Sequence, residues 1–465
     1  MSLWTSAAIA AACGGTEHDT FACEGVSFDS REVTAGDLFI ALTGEATDGH
    51  RFVDAAQGRG AAGMLVSQPV PGPHVRVADT MAALNALGAA ARDRSGALRI
   101  GVTGSVGKTG VKEALNAALG RFAPDAVHAS VKSYNNHTGV PLSLARMPAA
   151  SRFGVFEMGM NHAGELAALT QLVQPHIAIV TWVASAHREF FATETDIARA
   201  KAEIFGGLPA GGTAIIPADN PHAALLERAA RDAGAAVVRF GLSDSADVRA
   251  EQVALHPDCS CVTASINGQR LIFKVGMAGR HWVNNALAVL AGVDAAGGDL
   301  ALAGLALADM NGLPGRGRRL RVAAGSGQAI IIDESYNANP ASMAASLAVL
   351  RDVTPARQGR RIALLGAMKE LGAHSDDLHM ALASDVLAAG ATVAVLVGAE
   401  MRPLANILKR QVDVRHVADA DAALAELAPQ LAADDVLLVK GSNSMQLARV
   451  IEALADPKDA AEVIP

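Results

Sequence analysis

The chain has 465 residues, 51% hydrophobic and 18% charged, which supplies the cores of two to four domains of ~100–200 residues each and argues against disorder. Its 39 Lys and Arg against 47 Asp and Glu leave a net charge of −8 with no basic block, which argues against nucleic acid as a partner. The four cysteines, Cys13, Cys23, Cys259 and Cys261, form no CxxC pair, so a reducing cytoplasmic compartment is expected.

No apolar run reaches the ~18–20 residues of a membrane span. The apolar start, Met1 to Gly15, has no Lys or Arg before it and reads as an ordinary helix with Ser6 as its N-cap. In the first 97 residues, Asp37–Leu42 and Gly63–Ser67 read as strands and Met81–Arg92 as a helix, with Asp93–Ala97 a linker. From Leu98 the pattern becomes strand, loop, helix, with strands at Arg99–Thr103, Phe153–Met158, Ile177–Val183 and Thr213–Pro217 and a helix at Leu302–Met310. Gly312 to Arg318 looks like a joint. Beyond it, strands at Ile330–Asp333, Arg361–Leu365, Val393–Val397 and Val436–Lys440 alternate with helices near 341–351, 376–389 and 443–454. Such alternation predicts an α/β chain built on mostly parallel sheets. Three domains are expected, at 1–97, 98–313 and 314–465.

The strongest local signal is strand Arg99–Thr103, then Gly104-Ser105-Val106-Gly107-Lys108-Thr109, then the helix Val111–Leu119. Backbone N–H groups and a helix N-terminus converge there, which suits a phosphate, with Lys108 in reach of the terminal phosphates and Thr109 of Mg²⁺. The spacing is not a full Walker A: five residues before Gly107 stands Val102, and Gly104 is only three before. Glu157 ends an apolar strand, where open α/β sheets place ligands, and a lone acid there suits a metal or else a surface strand end. Tyr134-Asn135-Asn136-His137 is a polar turn, which Asn favours on structural grounds alone. His187 follows a strand end as Glu157 does, so the two are candidates for one site. Lys201 sits among Ala, Ile and Phe, where burial would lower its pKa, although a solvated helix face explains it equally well.

Taken together these segments resemble the Mur ligase family over all three domains. The match runs through Gly104–Thr109, Asn135-Asn136 with Gly139-Val-Pro141, Glu157-Met-Gly159, His187 and Ala200–Ile204. It continues through Gly279-Arg-His281 with Asn285, Pro314-Gly-Arg316, Asp333–Pro340 and Lys440-Gly-Ser442. Ser335-Tyr336-Asn337-Ala338-Asn339-Pro340 is the most discriminating segment. The resemblance implies an ATP-dependent ligase joining D-alanyl-D-alanine to UDP-N-acetylmuramoyl-tripeptide, through an acyl phosphate, for peptidoglycan synthesis. It implies a first domain that holds the UDP end, a P-loop central domain and a Rossmann-like third domain that holds the dipeptide. The enzyme is expected to work as a monomer.

By the same resemblance, Gly104, Ser105, Gly107, Lys108 and Thr109 hold ATP. Thr109 and Glu157 would hold Mg²⁺, and His187 a second one together with Lys201, which the family carbamylates. Asn285 would contact adenine, Glu334 the ribose and Arg316 the γ-phosphate. Ser30, Arg31, Asp48 and His50 fall in the UDP-like site, Asn135 and Asn136 face the sugar-nucleotide, and Tyr336, Asn337 and Asn339 lie near the reacting ends. Three departures stand out: His137 where Glu is frequent, Trp282 where Asn follows Gly-Arg-His, and Ala367 for a frequent Asp. The alternatives are a ligase for another amino acid, a folylpolyglutamate-type ligase, and a non-catalytic nucleotide-binding partner. The Ser335–Pro340 segment and the UDP-like first domain argue against the first two, and Glu157, His187, Lys201 and Arg316 together against the third.

Overall fold

The computed structural model describes residues 2–44 and 47–455. Three main sheets follow one another along the chain. The first is five-stranded, in the order Thr16–His18, His74–Arg76, Gly63–Val66, Asp37–Ile40, Gly25–Ser27, parallel except for the pairing of Thr16–His18 with His74–Arg76. Its helix Thr80–Arg94 packs on Gly139–Ala145 of the next unit. At that seam the Trp4 indole donates to the Ala145 carbonyl at 2.8 Å, and the Arg94 guanidinium stacks on the same ring.

The second sheet has nine strands, with Leu98–Thr103 third from one edge, between Phe153–Glu157 and Ile177–Val180. These strands are buried almost throughout, as parallel strands covered on both faces must be. Three strands at one side, Val248–Leu255, Ser260–Ile266 and Gln269–Val275, form an antiparallel meander. The third sheet has six strands, parallel apart from the hairpin Arg318–Ala324 with Gly327–Glu334. Central strands and loops therefore end beside the hairpin that opens the third sheet.

The differences from the sequence reading are local. Ser6 is the first residue of its helix and Thr5 the cap, because the Ser6 hydroxyl is buried and committed to Glu17 and the Phe21 N–H. The strand expected at Ile177–Val183 stops at Val180, where the chain turns toward the phosphate loop. The helix expected near 443–454 is a short turn, Asn443–Met445, followed by Ala448–Leu454, with Gln446 between them in the left-handed region. Among the described residues no helix is long and apolar enough to cross a membrane.

Candidate active site

The phosphate loop works because two glycines adopt backbone that side chains avoid. Gly104 has φ +155 and Gly107 φ +85. A Cβ on Gly107 would sit 2.6 Å from Asn285 Oδ1, and one on Gly104 1.9 Å from Thr181 Oγ1. Thr181 and Ser105 then lock the turn from outside, with the Ser105 hydroxyl donating to the Ala184 carbonyl at 2.9 Å. The Ser105 side chain thus shapes the loop, and its backbone N–H, donating to the Trp182 carbonyl at 2.7 Å, anchors the turn where it lines the cleft. Helix Lys108–Phe122 starts here with its first N–H groups uncapped by any side chain, so the positive helix end faces the cleft. Lys108 curls back so that its ammonium donates to the Gly104 carbonyl at 2.6 Å. Burial pushes its pKa down, Arg316 adds to that, and Glu157 opposes it.

Facing the loop, Glu157 is 1% exposed. Its carboxylate accepts from the Thr109 hydroxyl at 2.8 Å and from the Asn135 amide at 2.7 Å. A hydroxyl and a carboxylate this close form an oxygen pair of the kind that suits Mg²⁺, whose remaining ligands are ordinarily water and phosphate oxygens. Among the described residues no group of three or more His, Cys, Asp and Glu could hold a metal by itself, so one such ion would need the nucleotide to complete its shell. Asn135 thus lies against the metal-side carboxylate. Asn136 instead shapes a turn: its Oδ1 accepts from the Gly139 and Thr138 N–H groups at 2.9 and 3.3 Å, and the neighbouring His137 is exposed.

The opposite wall comes from the third unit. The Arg316 guanidinium stacks 3.9 Å above the Tyr336 ring and donates to the Ser133 hydroxyl at 3.2 Å. Asp333 fixes this hinge by accepting from the Gly315 N–H, Arg318 and the Ser335 hydroxyl. Asn339 caps helix Pro340–Asp352 with its Oδ1, and its amide reaches the Ser105 carbonyl at 3.4 Å. Lys440 donates to the Asn337 carbonyl at 2.9 Å and lies 3.9 Å from Glu334. Burial drives that pair toward neutrality, raising the Glu334 pKa and lowering that of Lys440. Together these residues enclose a cleft of about 860 Å³, lined among others by Lys108, Glu157, Asn285, Arg316, Tyr336 and Asn337.

His187 lies in the same cleft at φ +55, and its Nδ1 is 2.6 Å from Glu370 Oε2. The hydrogen bond from His187 lowers the Glu370 pKa. Glu370 belongs to the loop after strand Arg361–Gly366, so this bond joins the second unit to the third. The Glu189 N–H to Glu370 carbonyl bond, at 3.0 Å, ties the same two loops. Lys201 is 1% exposed. Burial, and secondarily the Lys108 charge, holds its pKa well below the ordinary lysine range. The apolar setting read from its neighbours is therefore a core position and not a solvated face.

Of the departures, Trp282 is 7% exposed and packs against Gly110 behind the phosphate loop. Ala367 is a buried strand end that pairs with Val397. The polar groups of that loop are Lys369 and Glu370, both on the cleft. In the first unit, Arg31 forks onto Asp29 at 2.7 and 2.9 Å, with Ser30 in the turn between them. Asp48 caps the turn Gly49–Phe52 and holds His50 Nδ1 at 2.6 Å, while His50 Nε2 accepts from the Ser67 N–H at 2.9 Å. Glu45 and Ala46 of the Gly44–His50 loop lie outside the described residues. The first unit is tied to the segment that carries Ser133 and Asn135 through Glu32, which binds Lys132 and accepts from the Tyr134 hydroxyl at 2.9 Å.

Several cleft residues escaped the sequence reading, Ser133 and Glu370 among them. Ser133 carries no motif signal, and Glu370 lies in the Gly366–Gly372 loop, where nothing local distinguishes it.

A phosphate loop facing a buried carboxylate, across a cleft closed by a second α/β unit, defines a nucleotide-dependent ligase site. The chain belongs to the Mur ligase family, whose members are ATP-dependent amide ligases. The Mur ligase family catalytic domain matches residues 23–98, the Mur ligase middle domain 102–293, and the Mur ligase glutamate ligase domain 318–443. The UDP-N-acetylmuramoyl-tripeptide–D-alanyl-D-alanine ligase of Rickettsia prowazekii is 32% identical, over 97% of this chain and 99% of its own. A crystal structure of MurF from Acinetobacter baumannii superposes with a TM-score of 0.83 at 29% identity, covering 97% of this chain and 98% of that one. The MurF ligase of Thermotoga maritima in complex with ADP gives 0.74 at 25% identity, covering 93% and 97%.

Proposed function

We propose that this chain joins the free carboxylate of UDP-N-acetylmuramoyl-tripeptide to the amine of D-alanyl-D-alanine, with ATP cleaved to ADP and phosphate. The observation that carries this reading is the single cleft in which Lys108, the Thr109–Glu157 pair, Arg316 and Tyr336 to Asn339 face one another.

A carboxylate is a poor acylating agent because its leaving group would be oxide, so it must first be activated. The γ-phosphoryl group passes to a carboxylate oxygen, the bond to the β-phosphate breaks, and ADP leaves. The uncharged dipeptide amine then attacks the acyl carbon, the C–O bond to phosphate breaks, and the amide forms as the amine gives up one proton to the departing phosphate or to water. Phosphoryl transfer needs positioning and charge neutralisation above all. Lys108 and Arg316 supply cationic donors from opposite walls, and the uncapped start of helix Lys108–Phe122 adds backbone N–H groups. Thr109 and Glu157 are the residues that would hold Mg²⁺, which when bound offsets phosphate charge.

His187 and a carbamylated Lys201 are the residues that would hold a second metal ion in this reading. A neutral lysine amine is what CO₂ needs, and the burial of Lys201 supports it. Gly104, Ser105 and Gly107 cradle the phosphates, Asn285 borders the adenine and Glu334 the ribose. Asn135 and the turn held by Asn136 border the sugar, and Ser30, Arg31, Asp48 and His50 receive the UDP end. Tyr336, Asn337 and Asn339 border the incoming dipeptide.

Phosphate release should require UDP-N-acetylmuramoyl-tripeptide and D-alanyl-D-alanine together, with a UDP-muramoyl-pentapeptide as the product by mass. Release driven instead by a single amino acid would move the enzyme to another ligation step. No release with any amine would favour a nucleotide-binding partner without catalysis.

A further inference from the structure

Lys112 lies one turn beyond Lys108 on the same helix and is fully buried. A buried ammonium survives only if its protons are all used. Lys112 Nζ donates to the carbonyls of Ser130 at 2.7 Å and Lys132 at 3.1 Å, and it also contacts the Glu113 carboxylate. Its two carbonyl partners bracket the start of the segment that carries Ser133 and Asn135. Lys132 itself is held in the left-handed region at φ +53, a conformation that costs a non-glycine residue free energy unless its surroundings enforce it.

That segment is a junction. The Ser130 hydroxyl accepts from the Glu157 N–H at 3.3 Å, the Ser133 hydroxyl lies 3.4 Å from that of Thr109 and accepts from Arg316, and the Asn135 amide donates to Glu157. Lys132 and Tyr134 bind Glu32 of the first unit. Three units of the chain therefore meet on six residues whose path is set from below by one ammonium.

We propose that Lys112 is a positioning residue: it fixes the 130–135 segment so that Ser133 and Asn135 stand between the phosphate site and the sugar-nucleotide. This inference rests on the reading above that places the sugar-nucleotide beside that segment. The phosphate loop is held by other groups, Thr181 and Ser105, so its grip on nucleotide does not depend on Lys112.

The test compares wild type with Lys112→Met, Lys112→Arg and Ser133→Ala, reading ADP affinity, UDP-N-acetylmuramoyl-tripeptide affinity, kcat and thermal stability. Lys112→Met should weaken sugar-nucleotide binding about 10-fold or more and lower kcat, with ADP affinity within about 3-fold of wild type. Lys112→Arg should recover part of the loss. Ser133→Ala, whose side chain is small and partly exposed, should reproduce the lowered kcat with unchanged melting. If Lys112→Met weakens ADP and sugar-nucleotide equally, or if Ser133→Ala is indistinguishable from wild type, the inference is overturned. Should Lys112→Met fail to fold, the Ser133→Ala result decides alone. Failure of wild type to bind UDP-N-acetylmuramoyl-tripeptide would instead defeat the underlying functional reading.

Discussion

Lys108→Ala is expected to lower kcat by at least ~10²–10³-fold, the typical loss when one preorganised charge-stabilising group is removed, while the protein still folds. The reason lies in what Lys108 does without substrate. Its ammonium satisfies itself with one loop carbonyl, that of Gly104, and its pKa is lowered by burial. A cation in that setting costs stability, and Glu157, the acid whose charge favours it, keeps its hydrogen bonds from Thr109 and Asn135 when Lys108 is removed, so the fold should not suffer. The γ-phosphoryl oxygens lose their nearest cation from the loop side, and Arg316 on the facing wall cannot replace it. Steady-state phosphate release and a thermal melt check both halves. Near-normal turnover in the variant would overturn the phosphate-loop assignment.

The second large effect concerns Lys201, for which activity and stability should move in opposite directions. Unfolded lysine binds a proton throughout the neutral range, whereas buried Lys201 has its pKa pushed well below the ordinary value of 10.5. The unfolded state therefore binds more protons, and stability contributed through this group rises with pH from the folded pKa up to the ordinary one. In CO₂-free buffer Lys201→Met should melt higher than wild type near neutral pH, and the gap should narrow as pH rises. Methionine fills a similar volume with no charge to desolvate. Lys108 and Lys440 are shifted in the same direction, so only the difference between the two proteins isolates Lys201. Turnover should be lost in the variant, since methionine cannot take up CO₂ to become a metal-binding carboxylate. Parallel melting curves across pH would contradict the buried-lysine account, and retained turnover would contradict the carbamate.

Much of this site is legible in the sequence where the chemistry is local. A glycine-rich turn between strand and helix has one geometry, so Gly104 to Thr109 announces itself. Glu157 is visible because an acid at the end of an apolar strand is costly without a partner, and its partners turn out to be Thr109 and Asn135. Arg316 and Ser335 to Pro340 are read from a family pattern, and the reason they work together, the stack of Arg316 on Tyr336, is not a sequence property. The contacts that close the cleft are the least legible. His187 and Glu370 are 183 residues apart, and Ser133 meets Arg316 at the same separation. The meander from Val248 to Val275 also escapes pattern reading, because a register shift between Ala250 and Gln252 breaks the alternation of its first strand and leaves Glu251 and Gln252 both exposed. Asn136 illustrates the converse case, in which a residue read as facing substrate spends its side-chain oxygen on a turn.

The central claim, that this cleft activates a carboxylate by phosphorylating it, is tested most directly by following oxygen. UDP-N-acetylmuramoyl-tripeptide labelled with heavy oxygen in its reacting carboxylate is turned over with ATP, Mg²⁺ and D-alanyl-D-alanine, and the products are weighed by mass spectrometry. The acyl-phosphate route predicts that one labelled oxygen leaves in inorganic phosphate and the other stays in the new amide. Phosphate free of label alongside a completed pentapeptide would contradict it.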